Sequence, residues 1–149
     1  MDANDPGYLS LSDLVAAAQD AGGADHHFKV IQLPYNLGMT EAFTRANQRV
    51  KDRVVPVLEA AREHAIAVSR LGVAPPGAAH AVAADDGGVR SGLTTDAQRA
   101  LQFVRSTPGI TAALVGMKTP AHVDENATVG TLAPMGWEQF QRLFSAAGG

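Results

Sequence analysis

The feature that most constrains this chain is an alternation, repeated three times, of a short apolar run with a longer amphipathic one. Phe28–Leu33 is β-branched and aromatic and is closed by Pro34. Ala65–Ser69 and Ile110–Val115 are similar short apolar stretches, each the length of a buried strand. Amphipathic segments separate and follow them. Val54, Val57, Leu58 and Ala61 form a helical stripe running to His64, with Pro56 suited to a first turn, where a missing N–H costs nothing. Residues 95–106 repeat apolar side chains at Ala97, Leu101 and Val104 behind a capping Thr95, and Pro108-Gly109 ends them. Thr119-Pro120 opens another helix running to about Val129, and 136–146 carries Trp137, Phe140, Leu143 and Phe144 on one core-packing stripe.

A helix over 13–21 precedes the first strand, with Ser12 as its cap and Gly22-Gly23 as its stop. Residues 38–53 are polar and mixed. This order predicts an α/β fold with a parallel sheet. Three strands are too few for a closed (β/α)8 TIM barrel, which has eight, so the pattern looks like part of something larger, and two free edges favour association over a soluble monomer.

Composition narrows the function. With 149 residues, 46% hydrophobic and 18% charged, the chain can build a core. A net charge of −3 gives no electrostatic case for nucleic acid or an anionic membrane. The absence of cysteine excludes disulfides, thiolate metal sites and cysteine nucleophiles, and suits a cytoplasmic location. The first ten residues lack the basic-then-apolar pattern of a secretory signal, and no apolar stretch reaches the roughly 18 residues of a membrane span. His26-His27 is adjacent on a strand approach, where neighbouring side chains point apart, so no metal is expected there.

Four stretches resemble aldo/keto reductases. Val30–Asn36 (VIQLPYN) is similar to the family's sixth barrel strand and its exit. Leu58–His64 (LEAAREH) resembles the helix before strand seven. Thr94–Gly109 (TTDAQRALQFVRSTPG), running into Ile110–Gly116, resembles the helix before strand eight and that strand. Gly116–Asn126 (GMKTPAHVDEN) resembles the cofactor loop after strand eight and is the most specific of the four. The resemblance implies that residues 1–149 are the C-terminal portion of an aldo/keto reductase domain, a partial (β/α)8 TIM barrel of about its last three strands with their helices. It implies a nicotinamide dinucleotide cofactor, NADP or NAD, and reduction of aldehydes or ketones by hydride transfer. By resemblance, Gln32 hydrogen-bonds the nicotinamide carboxamide. Gly116, Met117 and Lys118 form the phosphate loop, His122 lies near the 2′-phosphate, and Glu125 and Asn126 hold the adenine.

The residues also make physical sense alone. Gly116 permits close backbone approach, and the helix opening at Thr119-Pro120 offers free N–H groups and a positive dipole end beside Lys118. His122, Glu125 and Asn126, at offsets 0, 3 and 4, share a helix face. Plainer readings stand beside these: Gly116 as a strand end, Gln32 as a satisfied core amide, His122 as a surface histidine, Glu125 and Asn126 as a solvated face.

The chain departs from the family in important places. Met117 stands where Ser or Thr is frequent, and His122 where Arg is common. No residue matches the Asp, Tyr, Lys and His of the catalytic tetrad, which the family carries on its first four strands, and the Ser-Asn pair after strand five is missing. The resemblance therefore implies a fragment without catalytic residues, whose partners are the dinucleotide and either the missing N-terminal half or a second copy. A non-catalytic half-barrel that self-associates or binds a partner is the alternative.

Residues 70–92 (RLGVAPPGAAHAVAADDGGVRSG) break the rhythm, being rich in Ala, Gly and Pro without period 2 or 3.6. Relatives carry Ser-Ala-Ser-Leu-Leu-Gln-Gly there, then Arg-Leu, against the cofactor's pyrophosphate. A permissible codon set for Ser69–Ala83, entered one base later, encodes Ala-Ala-Ser-Ala-Ser-Leu-Leu-Gln-Gly-Arg-Leu-Thr-Arg-Ser. The segment therefore reads as an irregular, frameshifted loop, restored to frame before Leu93. The gene sequence tests this directly.

Overall fold

A computed structural model describes residues 4–71 and 92–145, so most of the irregular segment lies outside the described residues. The fold is mixed α/β, built on a three-stranded parallel sheet of β1 (Val30–Pro34), β4 (Ala67–Leu71) and β5 (Ala112–Ala113), in the order β1-β4-β5. Among the described residues the sheet is open and no closed barrel forms. Arg70 and Leu71, expected in the irregular segment, instead extend β4, pairing with Leu33 and Pro34 of β1.

The first helix, α1 (Leu11–Gly22), starts two residues earlier than expected. Ser10 rather than Ser12 is its cap, its Oγ accepting from Asp13 N at 3.2 Å. The earlier start buries Leu11 and Val15 and lets Leu11 N donate to Gln48 Oε1 at 2.8 Å. Ser12 Oγ turns outward from the cap and donates to Arg49 O at 2.8 Å. Gly23, at φ +70°, ends the helix, its N–H bonded to Gln19 O at 2.7 Å.

The stretch 38–55 is more structured than its polar composition suggests. It holds a short helix α2 (Glu41–Thr44) and an antiparallel hairpin, β2 (Gln48–Val50) with β3 (Arg53–Val55), turning through Lys51 at φ +54°. Val54 therefore belongs to a strand, half its surface exposed, and α3 begins only at Val57 (Val57–Glu63), with Pro56 as its cap. Ala65 takes φ +54°, a left-handed turn that sends Ile66 N back to Ala61 O at 2.8 Å, so β4 starts at Ala67 instead of Ala65. That conformation costs a non-glycine residue about 1–2 kcal/mol, and burial of Ile66 beside it offsets the strain.

α4 (Asp96–Ser106) follows its expected limits closely, with a complete capping box between Thr95 and Gln98. β5 is shorter than 110–115, although Thr111 N and Leu114 N still bond Val68 O and Arg70 O at 2.9 and 3.0 Å. α5 (Pro120–Ala127) has Thr119 as cap and Pro120 as first residue, and passes into a 3₁₀ turn, Thr128–Thr131. α6 (Trp137–Ser145) closes the described chain.

Two apolar clusters form the core. One joins Leu11, Val15, Leu58, Ala61, Ile66 and Val68, from α1, α3 and the sheet. The other gathers Tyr35, Phe103, Val104, Met135 and Phe140 around α4 and α6. Phe103 stacks on Tyr35 at 5.5 Å and on Phe140 at 5.6 Å. Trp137 leaves the expected core stripe: it is 52% exposed at the rim, stacked on Phe140.

Register assigns each side of the sheet. Leu33 pairs with Arg70 and Arg70 with Ala113, so these share the face packed by helices. Gln32, Ser69 and Ala112 pair in turn on the opposite face, where Val30, Gln32, Pro34 and Ala112 are exposed. Parallel sheets are ordinarily covered on both sides, so the exposure of these four residues is unusual, although Ala67 and Ser69 between them are half-buried. Among the described residues no helix is long and apolar enough to cross a membrane.

Candidate functional site

A cavity of about 210 Å³ opens where β4 and β5 end and where α4 and α5 begin to pack. Crevices beyond the carboxyl ends of parallel strands are where α/β proteins bind ligands. Ala97, Ala100 and Leu101 of α4 give the cavity an apolar wall, and Val115 and Gly116 bring in the chain leaving β5. His122, Glu125 and Asn126 project from one face of α5, as their spacing predicts.

Glu125 is held from two directions. Its Oε1 accepts from Thr95 Oγ1 at 2.5 Å, and its backbone carbonyl accepts from Gln98 Nε2 at 2.8 Å. Gln98 is buried, and its Oε1 accepts from Thr94 N at 2.9 Å and Thr95 N at 3.2 Å. The capping box of α4 thus also locks α5 in place. On α5 itself, Thr119 Oγ1 accepts from His122 N at 3.3 Å, completing the cap.

Two residues of the cavity wall each carry a buried polar atom without a partner among the described residues. Arg70 is 2% exposed, and its Nε donates to Tyr35 O at 2.6 Å. Its Nη2 is buried without a hydrogen bond, and no ion pair reaches it among the described residues. Burial lowers the guanidinium pKa from its ordinary value, though arginine remains a cation at neutral pH. Asn126 Oδ1 is likewise buried and unpartnered. A buried donor and a buried acceptor left unmade each cost about 1–3 kcal/mol, more where charge is involved.

Of the residues expected to bind cofactor, Gly116, His122, Glu125 and Asn126 meet at this cavity. Met117 and Lys118 are exposed and do not line it, and Gln32 lies on the opposite face of the sheet. Gln32 is also exposed, so it is not a satisfied core amide. A Cβ added at Gly116 would meet no atom within 4 Å, so the protein's own packing does not require glycine there. Sequence reasoning missed Arg70. The signal was a single charged residue directly after the apolar run Ala65–Ser69, obscured because it opens the irregular stretch.

Two other places are chemically quieter. Ser12 Oγ lies 3.0 Å from His64 Nε2, but its proton is donated to Arg49 O, so the imidazole donates to the hydroxyl and does not activate it. A second cavity of about 270 Å³, beside Leu58, Pro108 and Trp137, has no unpartnered buried polar atom among its described lining residues. Neither a protein-family model nor a curated protein matches the chain.

Proposed function

We propose that this chain is part of a nicotinamide-dinucleotide-dependent oxidoreductase of the aldo/keto reductase type and holds the adenosine end of NADP or NAD. The observation that carries the reading is the meeting of Gly116, His122, Glu125 and Asn126 at one cavity at the carboxyl end of a parallel sheet. The orphaned Asn126 Oδ1 fits the exocyclic amine of adenine, and the α4 wall fits its apolar face. His122, in the first turn of α5, suits a phosphate at the helix start, with Lys118 exposed just before the cap and outside the cavity lining. The cofactor would supply hydride, while the protein orients it. The chain carries no match to the family's proton-donating tetrad, so alone it is not a carbonyl reductase.

Calorimetric titration with NADP and NAD tests this. Weak binding is expected, lost in Glu125→Ala/Asn126→Ala. Equal affinity in that variant would refute the cofactor site, and turnover of an aldehyde with reduced cofactor above contaminant level would refute the absence of catalysis by the chain alone.

One observation favours a second reading, a non-catalytic half-barrel whose role is association. The outer sheet face carries Val30, 57% exposed, and Leu114, 46% exposed, and among the described residues the outer edges of β1 and β5 are unpaired. Sedimentation equilibrium separates the two. A concentration-dependent dimer without dinucleotide affinity supports the second, and a monomer at all concentrations excludes it.

A further inference from the structure

The adenosine reading explains an acceptor such as Asn126 Oδ1, but it does not explain Arg70. Among the described residues, this guanidinium is withdrawn from water with one backbone carbonyl as its hydrogen-bond partner, which leaves its charge uncompensated there. Hydrophobic packing would have served the fold with less loss, because β4 neighbours such as Val68 are fully buried aliphatic residues on the same face. Arg70 is one of the residues lining a cavity, so a partner for its buried Nη2 has room to arrive from outside the chain. It must accept a hydrogen bond and favour a positive charge. Across the cavity, Asn126 Oδ1 requires a donor. Glu125, whose Oε1 is occupied by Thr95, adds negative charge to the opposite wall and disfavours a ligand that is anionic throughout. The combination selects a molecule with an oxyanion at one end and N–H or O–H donors at the other.

The geometry points to Arg70 as the anchor of an oxyanion subsite, with Nη2 donating to a phosphoryl oxygen of a nucleotide whose N–H donors face Asn126. This rests on the dinucleotide reading only for the source of the phosphoryl group. A free nucleoside monophosphate presents the same chemistry. Arg70, rather than the exposed Lys118, is then the cation that distinguishes phosphorylated from unphosphorylated ligands, because buried charge is little screened by salt.

The experiment titrates the whole chain with inorganic phosphate, adenosine, adenosine 5′-monophosphate and NADP, following the Arg70 side-chain N–H signals by nitrogen-resolved NMR and affinity by calorimetry. The expected result is that the monophosphate binds at least tenfold more tightly than adenosine and shifts the Arg70 signals, whereas adenosine does not shift them. Arg70→Gln should remove the difference. Because that variant also loses the bond to Tyr35 O, Asn126→Asp serves as a second one: on the half-buried face of α5, it brings a negative charge to the cavity and should weaken the monophosphate at least tenfold. Adenosine and its monophosphate binding equally, or binding without movement of the Arg70 signals, overturns the subsite while leaving the dinucleotide reading intact. Monophosphate binding through Arg70 with no NADP binding upholds the subsite and removes the dinucleotide. No binding by any probe overturns both.

Discussion

Replacing Gln98 by alanine tests how the cavity is held together. Gln98 is 4% exposed and ties three backbone groups, two before α4 and one on α5. Its Oε1 takes the amides of Thr94 and Thr95 at 2.9 and 3.2 Å, and its Nε2 reaches across to Glu125 O at 2.8 Å. At about 1 kcal/mol net per hydrogen bond, the two shorter contacts amount to about 2 kcal/mol. The weaker third bond and the lost packing bring the expected destabilisation to about 2–3 kcal/mol. In a domain of this size that lowers Tm by about 4–12 °C. Thermal and urea denaturation followed by circular dichroism measure it, and hydrogen exchange at Thr94 and Thr95 localises it. Gln98→Glu is the informative control. One of its carboxylate oxygens still accepts from the Thr94 and Thr95 amides, but the other replaces the Nε2 donor and sets an acceptor against Glu125 O. It should retain the α4 cap while loosening α5 and weakening dinucleotide binding. A Gln98→Ala protein within 0.5 kcal/mol of the parent would refute the argument that this side chain couples the two helices, as would unchanged dinucleotide affinity in Gln98→Glu.

Two further predictions concern stability. Burial raises the Tyr35 phenol well above its ordinary pKa, with Thr107 Oγ1 at 3.3 Å opposing the shift. Its contribution is therefore complete below about pH 10 and is lost as pH rises through that value toward the folded pKa, so urea midpoints should fall in alkaline buffer, and Tyr35→Phe should flatten that fall. Gly109 has φ +93°, and a Cβ there would lie 3.1 Å from Leu58 Cβ and 3.3 Å from Leu58 O. Gly23, at φ +70°, would meet nothing within 4 Å. Gly23→Ala should cost the conformational strain alone, about 1 kcal/mol, and Gly109→Ala clearly more by the same denaturation assay; equal losses would show that contact with Leu58 is immaterial.

Much of this protein was legible in local chemistry. Thr95 with Gln98, and Thr119 with Pro120, mark α4 and α5 because capping involves residues only a few positions apart. The spacing of His122, Glu125 and Asn126 likewise predicts a shared helix face without any knowledge of the fold. Three apolar runs announce three parallel strands in the order they assemble. The tertiary structure decided the rest. The hairpin at 48–55 has weak local signals, and pairing across its turn, with Val50 and Val55 buried against α1 and α3, makes it a hairpin and displaces the start of α3. Gln32 faces outward because register with Ser69 and Ala112 sets the side on which a strand residue emerges, and one residue of shift would reverse it. Arg70 became part of the site only when β4 ran past Ser69 and packed it beneath α4 and α5. Charge is written in the sequence, but whether a charge is solvated or buried without a partner depends on which distant segments close over it.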